Sequence, residues 1–168
     1  MRLAPNQKAD HDSAMTQFRS YMPQALAQAR AAMALGEVPV GAVVVSADGH
    51  ILGAAGNRTR QDLDPSAHAE ILAIRHACAA LGQDRLINCD LFVTLEPCAM
   101  CAGAIAQARI ARLYFGAFDP KSGGIEQGPR VFEHPQTHHA PEVYAGIAQK
   151  ECENLLAEFF ADLRGAKL

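Results

Sequence analysis

Apolar residues recur at helical spacing at Met22, Ala25, Leu26, Ala29 and Met33, with Pro23 suited to a helix first turn and Gly36 ending the run. Two β-rich runs follow, VPVGAVVV (38–45) and HILGAA (50–55). They flank SADG and read as an antiparallel hairpin turning at Asp48-Gly49. A polar loop, GNRTRQDLDPS, leads into AHAEILAIRHACAAL. Here Ser66 is placed to cap a second helix, Ile71, Ile74, Cys78 and Leu81 form its inner stripe, and Gly82 stops it. The apolar run in DLFVTL (90–95) predicts a strand buried on both faces. A short helix of small residues, AMCAGAIAQA, then joins it to the strand RLYFGA (112–117), the pattern of a parallel crossover unit. The stretch from Asp119 to Pro141 is rich in Gly, Pro and His, and its length marks it as a lid or binding loop. A last strand is expected in EVYAGI. Cys152, Leu155, Leu156, Phe159, Phe160 and Leu163 then give a final helix one broad apolar face.

A chain of 168 residues, 49% hydrophobic, is long enough for one domain with a sizeable core. Residues 1–16 are polar and lack a continuous apolar segment, so they read as a flexible arm on a single domain spanning 17–168. No apolar stretch has bilayer length, which argues against a membrane partner. Five cysteines without an export signal point to reduced thiols and a cytoplasmic protein. The formal charge of −3 gives no bulk attraction to nucleic acid, so any RNA contact must come from a local patch such as Arg58, Arg60, Arg109, Arg112, Lys121 and Arg130.

The chemistry concentrates in TLEPCAMC (94–101). Cys98 and Cys101 share one face at the start of a helix, where free N–H groups and the dipole favour thiolates. His68 also stands at a helix beginning and is the best-placed third ligand, with Glu70 able to reach the same pocket. One His and two Cys leave a fourth tetrahedral position for water, the pattern of a catalytic zinc, and Glu70 is then placed to move protons. A redox pair fits less well, because the proline precedes the first cysteine and His-x-Glu has no part in it. A closed structural zinc needs a fourth protein ligand, and His76, Cys78 and Cys89 lack the spacing of a second pair. Cys78, Cys89 and Cys152 read as small buried hydrophobes. His134, His138 and His139 cluster locally, suited to a polar loop, a phosphate or a metal.

The H-x-E of residues 68–70 followed by P-C-x-x-C resembles the zinc deaminases of the cytidine deaminase-like superfamily. From Met22 to Arg164, the segments EVPVGAVVV, GNR, DPSAHAEI, TLEPCAMCAGAI, DPKSGG and LL-EFF---R are similar to the bacterial tRNA adenosine deaminases. The resemblance implies a three-layer α/β/α sandwich with a mixed five-stranded sheet. It further implies one Zn2+ per subunit on His68, Cys98 and Cys101, Glu70 as proton shuttle, and conversion of the wobble adenosine of a tRNA anticodon to inosine with release of ammonia. It places Asn57 at the target nucleoside, Asp119 and Lys121 near the RNA, and Phe160 and Arg164 near the anticodon stem-loop, in a homodimer whose neighbour helps to complete the pocket. Taken by themselves, Asn57 and Asp119 suit turns and Phe160 suits the core. The segment IEQGPRVFEHPQTHHAPEVYAGI departs from the familiar pattern, which bears on substrate contacts. Two other readings stay open. One is deamination of free guanine, cytosine or a nucleoside; the other is a non-catalytic, zinc-stabilised RNA-binding module.

Overall fold

In the computed structural model, which describes residues 17–166, helix α1 (Met22–Ala34) starts with Pro23 in its first turn and ends before Gly36, whose φ is 78°. The arm expected over residues 1–16 lies outside the described residues. The helix buries Met22, Ala25, Leu26, Ala29 and Ala32, so Ala32 takes the place expected of Met33. Strands β1 (Gly41–Val45) and β2 (Ile51–Gly56) form the antiparallel hairpin, turning through Gly49 at φ 86°. β1 also pairs antiparallel with β3 (Asp90–Leu95), which runs parallel to β4 (Arg112–Ala117), and β4 runs parallel to β5 (Glu142–Tyr144). The order β2-β1-β3-β4-β5 is the mixed five-stranded sheet expected.

β5 is shorter than EVYAGI. The chain leaves the ladder after Tyr144, passes through Gly146 at φ 78° and Ala148 at φ 53°, and enters α4 (Gln149–Gly165). Strand alternation divides the core in two. Ala42, Val44, Leu91, Val93, Leu113 and Phe115 pack with residues of α2 (Ala69–Leu81) and α3 (Ala99–Gln107). Val43, Val45, Phe92 and Tyr114 pack with Met22 and Leu26 of α1 and Cys152 and Leu155 of α4. Each face of the sheet therefore carries two helices, the three-layer arrangement. Among the described residues no helix is long and apolar enough to cross a membrane, and all five cysteines are free thiols.

The inner face of α2 differs from expectation. It buries Ala69, Glu70, Ala73, Ile74 and Ala77, while Leu81 is 41% exposed and Ile71 and Cys78 are only partly buried. The cause is close approach. A Cβ placed on Gly53 of β2 would stand 2.2 Å from the carbonyl oxygen of Ala73. Where the helix crosses Gly53 its buried positions are Ala73 and Ala77, small enough for that approach, and Ile71 and Cys78 are turned to its flanks. The same seating brings the first turn of α2 next to the carboxyl end of β3, where ligands bind in open α/β sheets.

Candidate active site

Two helix beginnings meet at this end of the sheet. Cys98 is the residue before α3, in extended conformation, and Cys101 lies buried in the helix's first turn. His68 has the same place on α2, with φ −74° and ψ 151°, and Glu70 follows in the first turn. Ser66 does not cap α2 as expected. Its hydroxyl donates to Asp64 Oδ1 at 2.7 Å, and its carbonyl oxygen accepts the His68 N–H at 2.7 Å, a tight turn that delivers His68 to the helix start.

His68 Nδ1 stands 3.6 Å from Cys98 Sγ and 3.5 Å from Cys101 Sγ. Bonds of about 2.0 Å to nitrogen and about 2.3 Å to sulfur at a tetrahedral zinc require a nitrogen–sulfur edge of about 3.5 Å, so the donors present fit the ion. All three donor atoms lie within 4.8 Å of one another, and among the described residues no other His, Cys, Asp or Glu completes the group. That argues against a closed four-ligand structural site, and His76, Cys78 and Cys89 do not join it. The electrostatics agree. A hydrogen bond from the Cys101 thiol, with help from His68, pushes Cys98 down to about 3. Its bond to Cys98, together with burial, raises Cys101 in turn. His68 is raised, chiefly by its hydrogen bond to Cys98. Two thiolates this close repel, and a divalent cation is what lets both ionise.

Glu70 is 4% exposed, and burial pushes its carboxyl up to about 7. It borders a cavity of about 290 Å³ together with His68 and Cys98. The rest of the wall comes from Val38, Val40 and Leu95, and from the polar residues Asn57, Thr59, Glu96, Asp119 and Ser122. Asn57 follows β2 directly, is 8% exposed and donates its N–H to the Val40 carbonyl at 2.9 Å. It is not among the residues with positive φ, so the left-handed turn that its type allows is not formed. Asp119 does form a turn, its Oδ1 accepting the N–H groups of Lys121 and Ser122 at 3.1 Å each, and it also lines the cavity.

Lys121, Phe160 and Arg164 are exposed and stand outside the cavity lining. Phe160 is 43% exposed with its ring edge-on to Phe159, so the core place that periodicity gives it is not taken. Arg58, Arg112 and Arg130 are engaged by Asp62, Asp90 and Glu133. Among the described residues His134, His138 and His139 form no metal group, and His139 Nε2 instead contacts the Ile110 carbonyl at 2.6 Å. The 119–141 loop is packed down, with Val131 and Phe132 against the core.

Sequence reasoning passed over Glu37 and Glu96, which are 1% and 2% exposed. The available signal was a lone carboxylate at the edge of an apolar strand-like run, beside a proline in Glu96-Pro97 and near one in Glu37-Val38-Pro39.

Residues 15–117 match the cytidine and deoxycytidylate deaminase zinc-binding region. The chain is 53% identical to the tRNA-specific adenosine deaminase of Agrobacterium fabrum over 150 residues, 89% of this chain and 98% of the relative. A solved tRNA:A34 deaminase, studied for A-to-I editing at the wobble position of transfer RNA, superposes with a TM-score of 0.79 at 56% identity, covering 81% of this chain and 98% of the other. The guanine deaminase of Nitrosomonas europaea shares the architecture at a TM-score of 0.73 and 25% identity, covering 83% and 82%. The chain belongs to the cytidine and deoxycytidylate deaminase zinc-binding family and, within it, to the tRNA-specific adenosine deaminases.

Proposed function

We infer that the protein hydrolyses the 6-amino group of adenosine at the wobble position of a tRNA anticodon, so that adenosine and water become inosine and ammonia. The observation that carries this reading is the set His68, Cys98 and Cys101 at tetrahedral zinc spacing beside buried Glu70, in a chain so similar to tRNA-specific adenosine deaminases. Zinc, when bound, supplies Lewis acidity that makes a water molecule nucleophilic near neutral pH. His68, Cys98 and Cys101 would hold it, and three protein donors are what a hydrolytic zinc requires.

Glu70 takes one proton of the attacking water and delivers it to N1 of the purine as the bond from oxygen to C6 forms. It then takes the remaining hydroxyl proton and passes it to the amine, so that ammonia leaves as the bond from C6 to nitrogen breaks and C6 keeps a carbonyl oxygen. The N-termini of α2 and α3 add partial positive charge where negative charge develops. The cavity of about 290 Å³ is sized for a single base held out of its stack, with Asn57 in contact with the nucleoside. Asp119 and Lys121 face the RNA backbone, and Phe160 and Arg164 on α4 serve the anticodon stem-loop. The functional form is a homodimer whose neighbour completes the cavity, working in the cytosol.

Incubation of the purified protein with total tRNA, followed by nucleoside analysis, is expected to yield inosine at the wobble position. Release of ammonia from guanine, with tRNA left unmodified, would overturn the assignment.

A further inference from the structure

Two buried glutamates outside the zinc site form no ion pair among the described residues. Each is wrapped by a loop that walls the cavity. Glu37 Oε1 accepts the backbone N–H groups of Arg60 and Gln61 at 2.8 Å each, and Oε2 accepts the Thr59 hydroxyl at 3.3 Å. Glu96 Oε2 accepts the Asp119 N–H at 3.0 Å. Its Oε1 gathers the N–H groups of Ile125, Glu126 and Gln127 at 3.2, 2.8 and 2.9 Å. A buried carboxylate left without donors is costly, so each loop is bound to its glutamate as firmly as the glutamate needs the loop.

Glu96 has a second tie. It stands two residues before Cys98, and Gly124 N–H donates to the Pro97 carbonyl at 2.8 Å. The loop lies so close that a Cβ on Gly123 would be 2.7 Å from Glu96 Oε1, and one on Gly124 would be 2.7 Å from the backbone nitrogen of Ala99. The wall that carries Asp119 is thereby registered against the turn that carries Cys98.

We propose that Glu37 and Glu96 are positioning residues for substrate binding: each carboxylate fixes one loop of the cavity wall, Glu37 the Thr59–Gln61 segment and Glu96 the Asp119–Gln127 segment. The kinetic part rests on the deaminase reading above; the structural part does not.

Glu96→Gln distinguishes this role from general stability. The amide oxygen keeps an acceptor for Ile125, Glu126 and Gln127, while the amide nitrogen confronts the Asp119 N–H, donor against donor. By hydrogen exchange, the Asp119 amide is expected to open about tenfold faster, the other three to stay within about threefold, and α2 and α3 to be unchanged. Glu96→Ala should release all four amides, and Glu37→Ala those of Arg60 and Gln61. Zinc content stays at that of the wild type, and in Glu96→Gln KM for an anticodon stem-loop rises about tenfold with kcat within about threefold.

The proposal is overturned if the Asp119 amide in Glu96→Gln exchanges as in wild type, if KM is unmoved, or if zinc is lost and exchange rises evenly throughout. Failure of the deaminase reading would show separately, in a wild-type protein that leaves the stem-loop unmodified, and the exchange pattern would still be decisive for the two loops.

Discussion

His68 Nδ1 and Cys98 Sγ stand 3.6 Å apart across 30 residues of sequence, and each belongs to the residue just before a helix. The candidate site is thus made by two helix starts brought together at the end of β3, and each donor would hold only its own share of a bound ion. Replacing Cys98 by Ala should weaken zinc binding by at least about 100-fold and abolish deamination. Metal analysis after dialysis checks the first, inosine formation the second. Treating the wild type with a chelator should give the same loss, and adding back about one equivalent of zinc should restore turnover.

Glu70→Gln separates proton transfer from metal binding. The amide matches the buried carboxyl in size, so the packing around it survives. The variant should retain zinc and fold while kcat falls by about 10² to 10⁴. Single-turnover rates on an anticodon stem-loop, normalised to zinc content, measure this; undiminished turnover would remove Glu70 from the mechanism.

Much of this site was legible because its ligands are local. Cys98 and Cys101 sit on one helical turn and His68 and Glu70 on another; spacing groups each pair, while joining the two pairs across 30 residues rests on their shared place at helix starts and on the resemblance to zinc deaminases. Strands and helices were legible wherever burial on one or both faces wrote a period into the sequence, as in β3 and α1. Legibility failed where long-range approach decides. The seating of α2 over Gly53 kept Ile74 buried but gave the places expected of Ile71 and Leu81 to Ala73 and Ala77, an effect that depends on a glycine in a different element. Glu37 and Glu96 were missed for a related reason: their partners are backbone N–H groups of distant loops, which carry no residue-type signature.

Phe160 offers a half-exposed ring on α4, with no part in the cavity wall. If it stacks on an anticodon base, Phe160→Ala should weaken stem-loop binding by about 5- to 150-fold, corresponding to about 1 to 3 kcal/mol per stacked base. Zinc content and kcat at saturation should be unchanged. Titration of labelled stem-loop measures it, and unaltered affinity would leave Phe160 a surface residue.

Three glycines allow the packing of helix on sheet to be tested without reference to activity. At Gly41 a Cβ would stand 2.0 Å from the Ala25 carbonyl oxygen and 2.4 Å from the Ala29 nitrogen, both backbone atoms of α1, so no rotamer change can relieve the clash. Gly41→Ala must lift the helix from β1, separating Met22 and Leu26 from Val43 and Phe92, and should cost at least about 1 to 3 kcal/mol. For a chain of this size that is a fall in Tm of about 2 to 12 °C. Gly103 lies inside α3, and a Cβ there would meet nothing within 4 Å, so Gly103→Ala should stabilise by about 0.4 to 1 kcal/mol through helix propensity and a less flexible unfolded chain. Gly82 has equal space but φ 64° at the end of α2, so Gly82→Ala should destabilise by about 1 kcal/mol from backbone strain alone. Thermal unfolding of the three variants should place Gly103→Ala above wild type and the other two below it, with Gly41→Ala lowest. A Gly41→Ala protein as stable as wild type would mean that α1 does not rest on β1 at the distance described.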